Sequence, residues 1–215
     1  IEDAGQIFQV INPFMQEKAW NYGINITQYI DVWGRELMLN GEFYRTDFSD
    51  QLVIDYDESA RTLSFYELRG KSYANNLQFE TKYTPVNGLD VTAAIRWNDA
   101  RQNIGGEMMK RPFVSEYKGL VALSYATALK KWQFDASVQL NGGGRIPDTS
   151  ENPLQYQRST SFGSYQVYQA QVTKFFRKWQ LYVGGENLGN FTQENPIIAG
   201  NDPFGTYFDG SMVWG

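Results

Sequence analysis

Long stretches of this chain alternate apolar and polar residues. From Trp132 to Asn141, the sequence places Trp, Phe, Ala, Val and Leu on one face of an extended chain and Gln, Asp, Ser, Gln and Asn on the other. The same period of two returns in residues 89–97 and 179–185. Because successive side chains of a β-strand point to opposite faces, the pattern predicts long strands with one apolar face.

The predicted strands come in pairs that are separated by longer polar segments. Pro85-Val86-Asn87-Gly88 joins one such pair, and its Asn-Gly dipeptide favours a tight hairpin. Segments of roughly 15 to 25 residues, rich in Gly, Pro, Asn, Ser and Asp, follow each pair. We predict about eight strands, at residues 20–30, 36–47, 72–84, 89–98, 117–128, 132–141, 165–175 and 179–187, with long loops at 50–70, 99–116, 142–164 and from 188 onward.

Short turns at one end of the strands and long loops at the other are typical of transmembrane β-barrels. Lys or Arg facing the middle of the bilayer costs about 2 to 4 kcal/mol in such a barrel, so one face of each strand must lack charge. Odd positions from 37 to 43 meet this condition, and in residues 165–175 we assign the even positions to lipid. Charged residues of three strands fall on the opposite, lumenal face: Glu42, Glu80, Lys82, Asp90 and Arg96.

Composition is compatible with a barrel. The mean hydropathy is -0.48 and no run of 18 apolar residues is present, but only every second residue of a barrel strand meets lipid. The aromatic fraction of 16% fits the aromatic girdles of such barrels. The sequence therefore predicts an all-β, antiparallel transmembrane barrel.

Composition also argues against several functions. The chain contains neither cysteine nor histidine, which removes disulfides, thiolate metal sites and the commonest catalytic base and metal ligand. A net charge of -5 without a dense basic cluster argues against a nucleic-acid partner. We therefore predict a protein that is not an enzyme, with no catalytic residues, metal site or cofactor.

Residues 182–191, Tyr-Val-Gly-Gly-Glu-Asn-Leu-Gly-Asn-Phe, resemble the late barrel strand of TonB-dependent outer-membrane receptors. In that family a Gly-x-Glu-Asn-Leu-x-Asn-like segment leads into an extracellular loop. Residues 195–198, 202–205 and 208–215 resemble the last loop of receptors from the Bacteroidota branch of the family. The resemblance in the pattern of strands and loops covers nearly the whole chain, whereas recognisable sequence motifs cover only residues 182–215.

The resemblance implies a fold and a domain organisation. Members of the family have a plug domain inside a 22-stranded barrel. Neither a plug nor a TonB-contacting box is present in this sequence, and no final strand ends in an aromatic residue. We therefore expect residues 1–215 to form the C-terminal part of the barrel domain, about eight strands of a 22-stranded barrel with short periplasmic turns and long extracellular loops.

The function that the resemblance implies is energised uptake across the outer membrane of a Gram-negative bacterium. The ligand is a scarce nutrient such as a siderophore complex, cobalamin, another metal chelate, a glycan or a peptide. Expected partners are outer-membrane lipid, the TonB complex acting through the missing plug region, and a surface lipoprotein. Loop residues and two residues near the lumenal mouth are candidate ligand contacts: Tyr56, Tyr66, Tyr156, Tyr165, Phe204, Tyr207, Arg96 and Asn98.

Other interpretations of the same pattern stay open. Loop packing alone would also explain each candidate contact residue. About eight strands is the size of the smallest closed outer-membrane barrels, which serve as adhesins or structural anchors. A soluble β-rich binding protein, such as a sandwich or a propeller, also alternates apolar and polar residues.

Overall fold

The computed structural model describes residues 7–11, 16–59, 62–68 and 70–193. These residues form β-strands and two short 3-10 turns, Ala128–Lys130 and Leu154–Tyr156. Among them, no helix has the length and apolar character needed to cross a membrane. The strands are β1 Ile7–Ile11, β2 Lys18–Val32, β3 Arg35–Asp50, β4 Leu52–Ser59, β5 Thr62–Glu67, β6 Ser72–Val86, β7 Leu89–Ile104, β8 Glu107–Lys110, β9 Tyr117–Ala126, β10 Trp132–Asn141, β11 Gly144–Arg145, β12 Ser161–Phe162, β13 Tyr165–Phe175 and β14 Gln180–Gly185.

One antiparallel sheet, here called the main sheet, contains nine of the strands in the part of the chain that the structure describes. Its order is β14-β13-β10-β9-β7-β6-β3-β2, and β8 pairs with the last residues of β7. Within the described residues, β2 and β14 form opposite edges and do not pair with each other. The main sheet is therefore an open segment of wall, unlike a closed eight-stranded barrel or the separate four-stranded blades of a propeller.

Short connections join the strands at one end of the main sheet, here called the turn end. Trp33 and Gly34, between β2 and β3, have φ angles of +53° and +71°. The backbone N–H of Gly34 donates a hydrogen bond of 3.0 Å to the Asp31 carboxylate. Consecutive positive φ angles are the mark of the type I′ turn, whose twist matches that of paired strands. The long connections all lie at the opposite end, the loop end.

The register of the strands keeps apolar side chains on one face of the main sheet, here called the apolar face. Val172 is the partner of Phe134 across β13 and β10, so the even positions of β13 share the apolar face with the apolar residues of β10. One row of direct Cα partners across six strands contains Ile26, Gly41, Phe79, Ile95, Gly119 and Leu140. The other face, here called the polar face, carries the alternate residues.

Two arginines limit the uncharged band of the apolar face on β3. Arg35 at the turn end donates a hydrogen bond to Asn87, and Arg45 towards the loop end pairs with Asp47 and lies over the Tyr73 ring. Ten residue rises of about 3.3 Å, on a strand tilted by about 40°, give a height of roughly 25 Å. That height equals the apolar band of an outer-membrane barrel.

The loop end contains more regular structure than the sequence predicted. β4 and β5 form an antiparallel hairpin inside the predicted loop 50–70, and β1 pairs with β5 in parallel. β7 continues to Ile104 and forms a hairpin with β8 inside the predicted loop 99–116. Residues 52–56 and 62–66 are rich in apolar, aromatic and β-branched residues, and pairing them satisfies their backbone N–H and C=O groups.

The buried apolar side chains also concentrate at the loop end. Val53, Leu68 and Ile104 form a cluster, against which Phe48 and Tyr66 pack among others. By contrast, many large apolar side chains of the main sheet are exposed to its surroundings, as expected for a wall whose two faces meet lipid and the contents of a lumen. The loops therefore form a small packed body above the wall.

We predict that a cation is tolerated on one face of β9 but not on the other. Val121 lies on the apolar face between Ala93 and Val138, and Ala122 is its neighbour on the polar face. Val121→Lys is expected to destabilise the complete protein in lipid vesicles by about 2 to 4 kcal/mol. Ala122→Lys is the matched control and is expected to have little effect. Guanidinium unfolding in vesicles measures both, and equal effects would contradict the assignment of the faces.

A second prediction concerns the turn glycines. Gly34 and Gly88 both have positive φ angles, +71° and +86°, but a Cβ atom on Gly88 would lie 2.3 Å from the carbonyl oxygen of Ala126, whereas a Cβ on Gly34 meets nothing within 4 Å. Gly34→Ala should therefore cost only the backbone strain of about 1 to 2 kcal/mol. Gly88→Ala should cost more, because the backbone of β9 must move. Unfolding midpoints of the two variants test this, and equal midpoints would contradict it.

Candidate functional site

Two cations lie side by side on the polar face near the loop end. Arg96 on β7 is the direct Cα partner of Lys118 on β9, and both residues are exposed. Within the described residues, neither side chain forms an ion pair or a hydrogen bond. Like charges on opposed residues destabilise a strand pair, so the arrangement is suited to binding an anion that lies against this face.

Neutral polar residues extend the same row. Gln78 on β6 is the partner of Arg96, Asn141 on β10 is the partner of Lys118, and Tyr165 on β13 is the partner of Asn141. We call these five residues the polar row. With about 4.8 Å between neighbouring strands, the row is roughly 19 Å wide. It combines charge, amides and an aromatic ring, which can orient a small polar ligand.

Asn98 lies two residues closer to the loop end than Arg96 and forms hydrogen bonds with the loop that precedes β9. Its side-chain amide donates a hydrogen bond of 3.1 Å to the carbonyl oxygen of Ser115, and its backbone N–H donates one of 2.8 Å to the carbonyl oxygen of Glu116. The side-chain N–H group of Asn98 is therefore used to hold that loop next to β7.

Three loops meet at the guanidinium group of Arg145, which follows β10. Its two terminal nitrogens donate hydrogen bonds of 2.6 Å each to the two carboxylate oxygens of Asp57, in the loop between β3 and β6. Its Nε donates a bond of 2.7 Å to the carbonyl oxygen of Lys110, at the end of β8. The side chains of Arg145 and Asp57 are only 16% and 10% exposed. All three nitrogens of one guanidinium are used between loops.

The loop after Arg145 adds another bond to the same carboxylate. The backbone N–H of Asp148 donates to Asp57 at 3.1 Å. The backbone N–H of Ser150, and then its hydroxyl, hold the pKa of the Asp148 carboxyl below its usual range. Asp148 thus stays ionised while it forms a tight local turn, and that turn directs its backbone N–H towards Asp57.

Consecutive glycines bring Arg145 to this position. A Cβ on Gly144 would lie 2.3 Å from the carbonyl oxygen of Val114 and 2.6 Å from the Phe162 ring. The close approach lets the chain after β10 run beside the loop before β9, where the backbone N–H of Phe113 donates to the carbonyl oxygen of Arg145 at 2.9 Å. Residues 142–144 therefore serve close packing between loops.

The predicted tyrosine contacts have different surroundings. Tyr66 on β5 donates a hydrogen bond of 3.0 Å from its hydroxyl to the buried carboxylate of Asp55 and packs on the loop cluster. Tyr156 is half-buried in a 3-10 turn between β11 and β12. Tyr165 belongs to the polar row and stacks on Phe191, with ring centroids 4.2 Å apart. The structure thus brings Tyr165 and Arg96 into one row and places Tyr66 in the loop packing.

The structure does not describe the side chains of three further predicted contacts. Tyr56 is on β4, but its side chain is not among those described. Phe204 and Tyr207 lie outside the described residues. They stay predictions.

The segment that suggested the family has a clear local geometry. Asn187 accepts a hydrogen bond of 2.8 Å from the backbone N–H of Phe191 and donates one of 2.9 Å to its carbonyl oxygen. Asn187 and Asn190 have φ angles of +50° and +49°, a conformation that asparagine tolerates better than most residues. The asparagines therefore turn the chain after β14 and bring Phe191 onto Tyr165.

A hollow on the polar face lies towards the turn end. Its volume is about 540 Å³, and Asp90, Asp135 and Glu186 are among its lining residues. Asp135 accepts hydrogen bonds from Ser124 and Gln133. This hollow is thus acidic, whereas the cations Arg96 and Lys118 lie nearer the loop end. The row that contains those cations continues beyond Gln78 to the carboxylate Glu42 on β3.

Sequence reasoning missed Lys118 and Arg145. The alternation of β9 places Lys118 on the polar face, but its position beside Arg96 depends on the register between β7 and β9. Nothing in the local sequence pairs Arg145 with Asp57, because the two residues are 88 positions apart.

Solved structures match this chain over most of its length. The ferric-catecholate import receptor Fiu from E. coli K12 matches with 17% identity and a TM-score of 0.57, over 83% of this chain and 24% of that one. The FrpB iron transporter from Neisseria meningitidis matches with 11% identity and a TM-score of 0.60, over 86% and 28%. FpvA from P. aeruginosa, in a complex with a pyoverdine and iron, matches with 14% identity and a TM-score of 0.50, over 84% and 28%.

These three proteins are TonB-dependent receptors. The likeness confirms the predicted fold, an antiparallel segment of a β-barrel wall. The chain spans about a quarter of the length of the structures that it matches. Its sequence matches no family model and no curated protein sequence. The Bacteroidota origin stays a prediction.

Proposed function

We propose that this chain forms part of the wall and extracellular rim of a TonB-dependent transporter that imports a ferric chelate across the outer membrane of a Gram-negative bacterium. The observation that carries the proposal is the continuous wall shared with three iron receptors and transporters. In this arrangement the polar face lines the lumen, the apolar face meets lipid and the long loops are extracellular.

The polar row is the proposed ligand contact inside the lumen. Arg96 and Lys118 supply two adjacent positive charges at the loop end, and a chelate that binds Fe³⁺ through deprotonated oxygens has the complementary charge. Tyr165 supplies a ring at the end of the row. Tyr56, Tyr156, Phe204 and Tyr207 are candidate contacts from the loops, whereas Asn98 and Tyr66 hold the loops in place.

The role of this chain is binding and conduction, not covalent chemistry. A plug domain elsewhere in the complete protein would couple it to the TonB complex, with residues 1–215 contributing the C-terminal part of the barrel. The open edges of the main sheet disfavour the alternative of an autonomous eight-stranded barrel. A surface lipoprotein above the loops is a further proposed partner.

The test is uptake of ⁵⁵Fe bound to a tris-catecholate or to a pyoverdine by cells that carry the complete protein as their only iron-chelate receptor. The proposal expects uptake of at least one probe and its loss when TonB is deleted. Uptake that survives without TonB would contradict energised transport. Failure to take up or bind either probe would contradict the ferric-chelate assignment.

We predict that reversing the charge of the cation pair abolishes uptake of an anionic chelate. Arg96→Glu with Lys118→Glu places two negative charges on the polar row and should reduce the affinity for the transported probe at least about 100-fold, because two attractions become repulsions. Lys178→Glu, in the exposed turn between β13 and β14, is the matched control and should leave affinity unchanged. Equal affinity of the double variant and the control would exclude the polar row as the binding surface.

A further inference from the structure

Arg145 is the one described residue whose side chain links three long loops. It belongs to the loop between β10 and β13, its carboxylate partner Asp57 to the loop between β3 and β6, and its carbonyl partner Lys110 to the loop between β7 and β9. Of the ion pairs among the described residues, only Arg145 with Asp57 joins different loops. The others join neighbouring strands or residues within one segment.

The geometry of this contact requires arginine. Two parallel N–H groups face the two oxygens of Asp57, and the third nitrogen points to a backbone carbonyl oxygen. Lysine carries a single charged nitrogen and cannot occupy this planar fork. Because both side chains are mostly buried, the charges are screened by water less than those of an exposed pair.

A further hydrogen bond fixes the position of Asp57. Its backbone N–H donates a hydrogen bond of 2.8 Å to the Asp55 carboxylate, and Asp55 accepts another of 3.0 Å from the hydroxyl of Tyr66. Asp55 is 7% exposed and Tyr66 packs on the cluster around Val53. The position of Arg145 is therefore coupled to the apolar body of the loops through a continuous series of bonded groups.

We propose that Arg145 is a positioning residue that locks the three loops into a single preformed rim above the polar row. The loops then move as a unit and do not close one by one around a ligand. A rim that is ordered beforehand does not lose loop entropy on binding, which increases affinity without any contact between Arg145 and the ligand. This inference concerns the loops alone and does not depend on which ligand the protein transports.

The experiment is hydrogen exchange, followed by mass spectrometry, on the complete protein in detergent without ligand. Arg145→Met should increase the exchange rate at least about tenfold in three separate segments at once, residues 52–67, 107–116 and 142–162. The amides of β10 and β13 should stay protected, which shows that the wall is folded. Arg101→Met is the matched control, because Arg101 lies at the same end but pairs with Asp99 on its own strand, and it should leave the three segments unchanged.

Two further variants separate positioning from general damage. Arg145→Lys keeps the charge but loses the two parallel hydrogen bonds to Asp57. It should increase the exchange rate in the same three segments. Arg145→Asp combined with Asp57→Arg restores an ion pair between two loops, but aspartate cannot donate to the carbonyl oxygen of Lys110. The double variant should therefore restore protection in residues 52–67 and leave residues 107–116 loose.

Faster exchange confined to residues 142–162 in Arg145→Met, or full protection in Arg145→Lys, would overturn the proposal. If Arg145→Met does not fold, Asp57→Asn replaces it. That variant keeps the size of the side chain and should loosen residues 52–67 and 142–162 together. Unchanged exchange in Asp57→Asn would also overturn the proposal, whereas failure of iron uptake in the wild-type protein would affect only the proposed transport function.

Discussion

The antiparallel hydrogen-bond ladder of the main sheet is the constraint on which the rest of the structure depends. In lipid, a backbone N–H or C=O group without a partner costs several kcal/mol, so a spanning strand must be paired along its length. The ladder of β2, β3, β6, β7, β9, β10, β13 and β14 provides that pairing. Because its register is fixed, one face collects the apolar residues and the other collects the charges. The same register places Arg96 beside Lys118.

Different interactions stabilise the loop end and the wall. Strands in the wall place apolar side chains outwards, whereas β4, β5 and β8 contribute to a small buried cluster around Val53, Leu68 and Ile104. In the proposed arrangement water surrounds the loops, so burial and ion pairing stabilise them as they stabilise a small soluble domain. The bidentate ion pair between Arg145 and Asp57 joins loops that the wall alone would leave independent. Wall and rim therefore have separate sources of order.

The proposed function needs both parts. The wall sets the position of the polar row, and the rim limits the approach to it from outside. Arg96 and Lys118 lie nearer the loops than Asp90 and Asp135 do, so in the proposed arrangement the cation pair attracts an anionic ligand at the entrance of the lumen. This distribution suits a receptor that first captures its ligand and then releases it by movement of a plug.

The sequence by itself determined the strands, their apolar faces and the short turns, because a period of two and Asn-Gly signals depend only on neighbouring residues. The sequence motif in residues 182–191 further indicated the family whose fold the structural likeness confirms. The sequence did not determine β4, β5 and β8, since short strands need a partner to form. Only the tertiary structure decided that Lys118 lies beside Arg96 and that Arg145 reaches Asp57, because strand register and contacts over 88 residues are properties of the whole fold.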